Sequence, residues 1–196
     1  NKSCTEKNVS QSIGVIKDFN LWSAELFSEI KTSENFTFQL ENKGLLMLCK
    51  TEKMLEEELH LAKVARNEGL EVKVLSPSEI GALEPNANID AIGAVHYHCD
   101  WHTTPHEFMK EMQDWLLERG VTFYKNQRVE DLQVSNGEIK QIVTQNKTFT
   151  ADEFVLAAGS WSHMLSKKLG VKIPLEAGKG YRINVDHPTG ITIPAV

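Results

Sequence analysis

Glu153-Phe154-Val155-Leu156-Ala157-Ala158-Gly159-Ser160-Trp161 is a short apolar run that ends in three small residues and then a good helix-capping serine. Residues 154–157 predict a buried parallel strand, 157–159 a tight turn without bulky side chains, and Ser160 the N-cap of a helix. A turn so bare lets a phosphate or ribose lie against main chain at a helix N-terminus. The Gly-x-Gly-x-x-Gly turn that holds the rest of a dinucleotide occurs nowhere in the 196 residues. Half of a nucleotide site is therefore present and half is missing.

Downstream of that turn, Leu165 and Leu169 mark a helix closed by Gly170. Residues 174–185 return to extended chain and carry Lys179-Gly180-Tyr181-Arg182. Upstream, residues 129–134, 138–144 and 147–150 read as three short strands, and Asn136-Gly137 is a strong hairpin signal. Before them, Thr104-Pro105-His106-Glu107 has the form of a capping box. It opens a helix with Phe108, Met112, Trp115 and Leu116 on one face, ended by Gly120 and followed by a strand over 121–124. A helix feeding a strand is the back half of a βαβ unit.

Residues 9–31 carry Val15, Phe19, Trp22, Leu26 and Ile30 as one helical stripe. The β-prone runs 36–40 and 44–49 flank Glu41-Asn42-Lys43, which reads as a hairpin loop. Thr51 caps a helix to about Arg66, stopped by Gly69, and 70–75 alternates as a half-buried strand. Ser76-Pro77-Ser78-Glu79 is a first capping box whose helix ends near Pro85, and 93–99 is a strand. The fold class is α/β: a partial nucleotide-binding lobe with a three-stranded meander (103–171) interleaves with an α+β, antiparallel-sheet lobe (1–102 and 172–196).

Composition is that of an ordinary globular domain, 41% hydrophobic and 24% charged. A net charge of −6 argues against a nucleic-acid partner. No apolar run reaches the 18 residues of a membrane span, and no signal peptide is visible. Cys4, Cys49 and Cys99 are widely spaced and odd in number, which suits reduced thiols and a cytoplasmic location. The sequons at Asn1, Asn8, Asn35 and Asn146 then read as chance. The start at Asn1-Lys2-Ser3 and the strand-like Ile193-Pro194-Ala195-Val196 lead to the expectation of a piece of a longer protein.

His96, His98, His102 and His106 fall within eleven residues. His96 and His98 share one face of a strand. No acidic or thiol set at ligand spacing accompanies them beyond Cys99 and Asp100, so no metal is expected and the histidines read as a polar strand face near a cleft. Glu56-Glu57-Glu58 is a solvated helix face, and Gly178-Lys179-Gly180 lacks the spacing of a phosphate loop.

The ordered set of Gly44-Leu-Leu-Met-Leu-Cys49, Leu75-Ser-Pro-Ser-Glu-Ile80, Leu83-Glu84-Pro85, Gly93-Ala-Val-His-Tyr97 and Thr104-Pro-His-Glu-Phe108 resembles the flavoprotein amine oxidoreductases. So do the meander, Ala-Ala-Gly-Ser-Trp161 and Pro-Leu-x-x-x-Lys-Gly-Tyr181 that follow it. The nearest resemblance is to the D-amino acid dehydrogenase type, with glycine oxidase and sarcosine oxidase as cousins, and it spans nearly the whole chain. The resemblance implies FAD and removal of hydride from the carbon bearing an amine, giving an imine that hydrolyses to an oxo acid. It implies cofactor contacts at Arg128 and Val129, with the Val129 backbone on the adenine, and at Ala158, Gly159 and Trp161. It places Tyr181, Arg182, His96 and His98 on the substrate side.

Simpler readings stand beside these. Val129 also reads as a strand residue, Ala158 and Gly159 as helix–strand packing, and Trp161 as filler of a lobe junction. Tyr181 and Arg182 are strand neighbours pointing to opposite faces, so at most one meets substrate. The family's Gly-rich βαβ unit, and the later region that completes its flavin pocket, have no counterpart here, so activity is expected of a parent protein rather than of this piece. The expected partner is a small amino acid or amine. Oxygen and a membrane carrier both remain open as electron acceptor, the carrier entailing peripheral association on the inner membrane face. A glycerol-3-phosphate dehydrogenase-like flavoenzyme and a non-catalytic binding module are the alternatives.

Overall fold

The computed structural model describes residues 5–175, 178–180 and 190–196. Among these the chain divides into two units, one reaching Gly120 and taking up 190–196, the other beginning at Val121.

The first unit opens with α1 (Glu6–Ser33), capped by Thr5, whose hydroxyl accepts from the Asn8 amide. Its sequence stripe does not form its packed face. Phe19 is 64% and Trp22 57% exposed, and Val15 and Leu26 are open as well. Phe27 packs instead, its ring centroid 4.7 Å from Phe108 and 6.3 Å from Phe38. An aromatic partner available at Phe27 outweighs periodicity along the helix.

β1 (Leu40–Glu41) and β2 (Leu45–Cys49) are not the two arms of a hairpin. β1 pairs with β5 (His102–Thr103), in register Leu40 with Thr103 and Glu41 with His102. β2 pairs with β4 (Gly93–Tyr97), which also takes β3 (Val72–Leu75), giving an antiparallel sheet of order β2-β4-β3. Alternation then sorts the side chains by face. Leu46, Leu75 and Ala94 pack with Ile80 and Ile193 on one side, while Val72 and Val95 pack with Ala62 on the other.

Ala62 belongs to α2 (Glu52–Asn67), capped by Thr51 as expected. The Tyr97 hydroxyl donates to Glu58 Oε1 at 2.5 Å, tying α2 to the sheet. α3 (Pro77–Leu83) carries Ile80 and starts with the complete Ser76–Glu79 capping box. The return segment lies parallel to β2, with Ala195 beside Leu46.

The second capping box does not form. Thr104 is the N-cap of α4 (Pro105–Glu118) without a side-chain bond to the helix. Its hydroxyl donates to Gln39 Oε1 at 2.7 Å, and Glu107 Oε2 accepts from the Gln39 amide at 2.9 Å. Both members of the box are used to hold the β1 approach. On the same helix Phe108 joins Phe27 and Phe38, and Trp115 stacks edge-on to Phe36.

The second unit is built on the meander β6 (Val129–Ser135), β7 (Glu138–Thr144) and β8 (Thr148–Phe149). Asn136 and Gly137 take φ of 54° and 79°, the two positive values of the tight hairpin turn that their dipeptide predicts. Residues 121–124 and 154–157 form no strand. Neither run finds a ladder partner among the described residues, and without one a β-prone run stays irregular. Tyr124 packs instead on Phe149, and Val155 stands 91% exposed.

The expected mixed class holds, with helices on antiparallel sheets. The expected parallel strand does not: the Leu46–Ala195 bridge is the one parallel pairing among the described residues.

Candidate cofactor site

The bare turn at 157–159 is where small residues leave main chain uncovered. Ala157 and Gly159 are exposed and Ala158 is half-buried. Gly159 sits at φ +53°, and nothing lies within 4 Å of where its Cβ would be. A short 3₁₀ turn (Gly159–Trp161) leads into α5 (Ser162–Ser166), so the turn does end in a helical segment. Ser160 lies inside the 3₁₀ turn rather than at the N-cap, because Ala158 starts it, its carbonyl accepting from the Trp161 amide at 3.1 Å. The Ser160 carbonyl in turn meets His163 Nδ1 at 2.9 Å. Trp161 is 69% exposed, a wide indole face beside the turn.

Arg128 is exposed and precedes β6, and half-buried Val129 opens that strand opposite Thr144. Lys168 of the segment after α5 donates to the Glu130 carbonyl at 3.1 Å and pairs with Asp131. That contact brings the start of the meander and the turn-to-helix segment into one neighbourhood of the second unit. Lys168 and Asp131 escaped the sequence reading. An Asp and a Lys 37 residues apart carry no local signal.

His96 and His98 are neighbours, their rings 3.9 Å apart. His96 is buried on the central strand β4, its Nε2 2.9 Å from the Lys43 carbonyl, so its imidazole is tied to the segment that leads into β2. Half-buried His98 is the more accessible of the two. Tyr181 and Arg182 lie outside the described residues. No group of three or more His, Cys, Asp or Glu among the described residues is placed to hold a metal ion.

The first unit also contains a groove of about 570 Å³ along α1, lined by Lys17, Leu21, Phe27, Cys99, Trp101 and His102 among others. Burial, with Asp100 beside it, pushes the Cys99 thiol up. His102 Nε2 lies 3.3 Å from Glu41 Oε2, and its Nδ1 is buried without a partner among the described residues. Lys43 beside Glu41 holds that carboxyl below the usual range. Sequence reading passed over this groove because α1 and residues 99–103 are far apart along the chain. The density of thiol, carboxyl, indole and imidazole in 99–102 was the available signal.

Residues 6–195 match the family described as FAD dependent oxidoreductase. The chain belongs to that family. It is 26% identical over 167 residues to the D-amino acid dehydrogenase of Rhizobium rhizogenes, covering 84% of this chain and 40% of the relative. Among solved structures it is similar to glycine oxidase from Bacillus cereus, with a TM-score of 0.68 at 24% identity, over 76% of this chain and 43% of that one. The dithionite-reduced L-α-glycerophosphate oxidase of Mycoplasma pneumoniae, with FAD bound, gives a TM-score of 0.62 at 18% identity, over 76% and 40%. These likenesses show the fold. The chain spans about 40% of the length of the curated relative it matches.

The turn fits the group the family uses. Exposed Ala157 and Gly159, with open space where a Gly159 Cβ would stand, leave room for a group to come close to main chain.

Proposed function

We propose that this chain is the middle part of an FAD-dependent oxidoreductase that deaminates D-amino acids or related amines. The observation that carries the reading is the uncovered main chain of 157–159, in a chain that belongs to an FAD family and has a D-amino acid dehydrogenase among its relatives. The flavin, when bound, takes up the hydride that leaves the substrate α-carbon. Ala158 and Gly159 would let the cofactor lie close to main chain, Val129 would offer backbone to the adenine, and Arg128 and Trp161 would add side-chain contacts. His98, the more accessible of the paired histidines, and one of Tyr181 and Arg182 serve the substrate side, where a hydroxyl or a cation holds its carboxylate. The neutral amine is the reacting form, because a positive charge on nitrogen resists departure of hydride. The cofactor contacts fall in the second unit, and His96 and His98 in the first.

The small amino acid or amine is the partner, with the terminal electron acceptor left open. No helix among the described residues is long and apolar enough to cross a membrane. A cytoplasmic protein, or one resting on the inner membrane face, agrees with that.

The test is anaerobic titration of the full-length protein that contains this chain, followed by flavin absorbance. Bleaching by D-alanine supports the proposal. Bleaching by glycerol 3-phosphate alone replaces the amine with an alcohol substrate. A colourless protein that takes up no FAD overturns the reading in favour of a binding module.

A further inference from the structure

We propose that Glu84 is a latch on which the return segment 190–196 depends, and that this latch keeps the outer edge of β2 closed. The proposal is independent of the flavin reading.

Glu84 follows α3 directly and is 0% exposed. Its Oε1 accepts from the Thr192 amide at 3.0 Å, the Thr192 hydroxyl at 3.0 Å and the Ile193 amide at 2.6 Å. Its Oε2 accepts from the same Thr192 amide and hydroxyl at 2.9 and 3.1 Å. All the side-chain partners that the structure gives this carboxylate among the described residues lie on Thr192 and Ile193. An ionised carboxylate in an apolar interior is tolerated only while its acceptor sites are filled. Departure of the segment leaves the buried carboxylate without donors, and loss of the carboxylate strands the buried Ile193 amide and frees the Thr192 donors. Each therefore requires the other.

Neighbouring contacts make the attachment all-or-none. Gly190, at φ +84°, lies so close to the Asn86 main chain that a Cβ would collide with the Asn86 carbonyl oxygen. Ile193 enters the core with Leu46, Leu75, Ile80 and Ala94. Beyond it the Leu46 and Leu48 amides donate to the Pro194 and Val196 carbonyls, both at 2.8 Å, and the Val196 amide donates to Leu46 at 3.0 Å. The segment is thus the cover of the β2 edge. Without it the apolar strand Leu45–Cys49 presents unpaired amides, a template for any other strand.

The test is amide hydrogen exchange on the full-length protein that contains this chain, comparing the parent with Glu84→Gln, Thr192→Val and the pair combined. Gln is the same size but turns an NH₂ toward the Thr192 amide. Glu84→Gln is expected to speed exchange at Leu46, Leu48 and Val196 by about tenfold or more, with Val95 in β4 unchanged. Thr192→Val removes one donor and gives a smaller acceleration at the same amides, and the pair exceeds Glu84→Gln by less than twofold. Exchange at Leu46, Leu48 and Val196 within twofold of the parent in Glu84→Gln overturns the latch, as does equal acceleration at Val95. If Glu84→Gln does not fold, Thr192→Val decides alone: acceleration confined to the segment and β2 supports the proposal, and none overturns it.

Discussion

Gly44→Ala probes a close main-chain approach in the first unit. Gly44 has φ +75°, and a Cβ on it would stand 2.5 Å from His96 Nε2 and 2.6 Å from the Tyr97 carbonyl oxygen. Placing an L-residue in the left-handed region costs roughly 1–2 kcal/mol. Forcing one extra carbon into a packed site costs about 1–3 kcal/mol. The carbonyl of Tyr97 belongs to β4 and cannot swing aside, so the imidazole must move and give up its contact with the Lys43 carbonyl. The two terms together predict about 2–5 kcal/mol. Gly69→Ala is the control, since Gly69 has φ +81° with nothing within 4 Å of its Cβ position. It should lose only the conformational part, roughly 1–2 kcal/mol. Urea denaturation followed by circular dichroism measures both, compared as midpoints at equal slope. If the two variants lose the same stability to within about 0.5 kcal/mol, the close approach to His96 has no energetic weight. The account of the His96 side of the sheet is then wrong.

Three further outcomes follow from single contacts. Glu79 is held down to about 2, first by the Ser76 amide, then by the Ser76 hydroxyl and Lys73. Its folded value lies below the usual carboxyl value near ~4.3. Its contribution is therefore complete above that pH and disappears as pH falls through about 2. Glu79→Gln should flatten that part of the pH–stability curve, and an unchanged curve refutes the assignment. Phe38→Ala empties the centre of the Phe27–Phe36–Phe108 cluster. It should cost about 3–5 kcal/mol in urea denaturation. Glu111→Ala removes the acceptor for the Thr37 and Phe38 amides, at 2.8 and 3.3 Å. Exchange at those two amides should quicken while that at Val95 does not.

Local signals were legible wherever their partners were local. Ser76–Glu79, Thr51, Asn136-Gly137 and the meander all form as written, because each is settled within a few residues. Thr104–Glu107 has the same four-residue logic as Ser76–Glu79 and fails, because Gln39 competes for both side chains from 65 and 68 positions away. The pairing of β1 with His102–Thr103 had no sequence trace for the same reason. Residues 121–124 and 154–157 have β-prone composition, yet a strand exists only where a neighbour completes its hydrogen bonds. At the candidate site the small residues of 157–159 were visible directly, whereas the meeting of Lys168 with Asp131, and of α1 with 99–103 along the groove, arises from folding alone.

The carboxyl of Glu84 and the amide of Thr192 are separated by 108 positions. Synthesis at roughly 5–20 residues per second puts about 5–20 seconds between the emergence of the two. During that interval the nascent first unit carries an acid awaiting its donors and a strand rim awaiting its neighbour, while the whole second unit is still being made. Completion of the first unit therefore waits until the second has been made, and over that interval the rim of β2 is open to pairing with strands of other nascent chains.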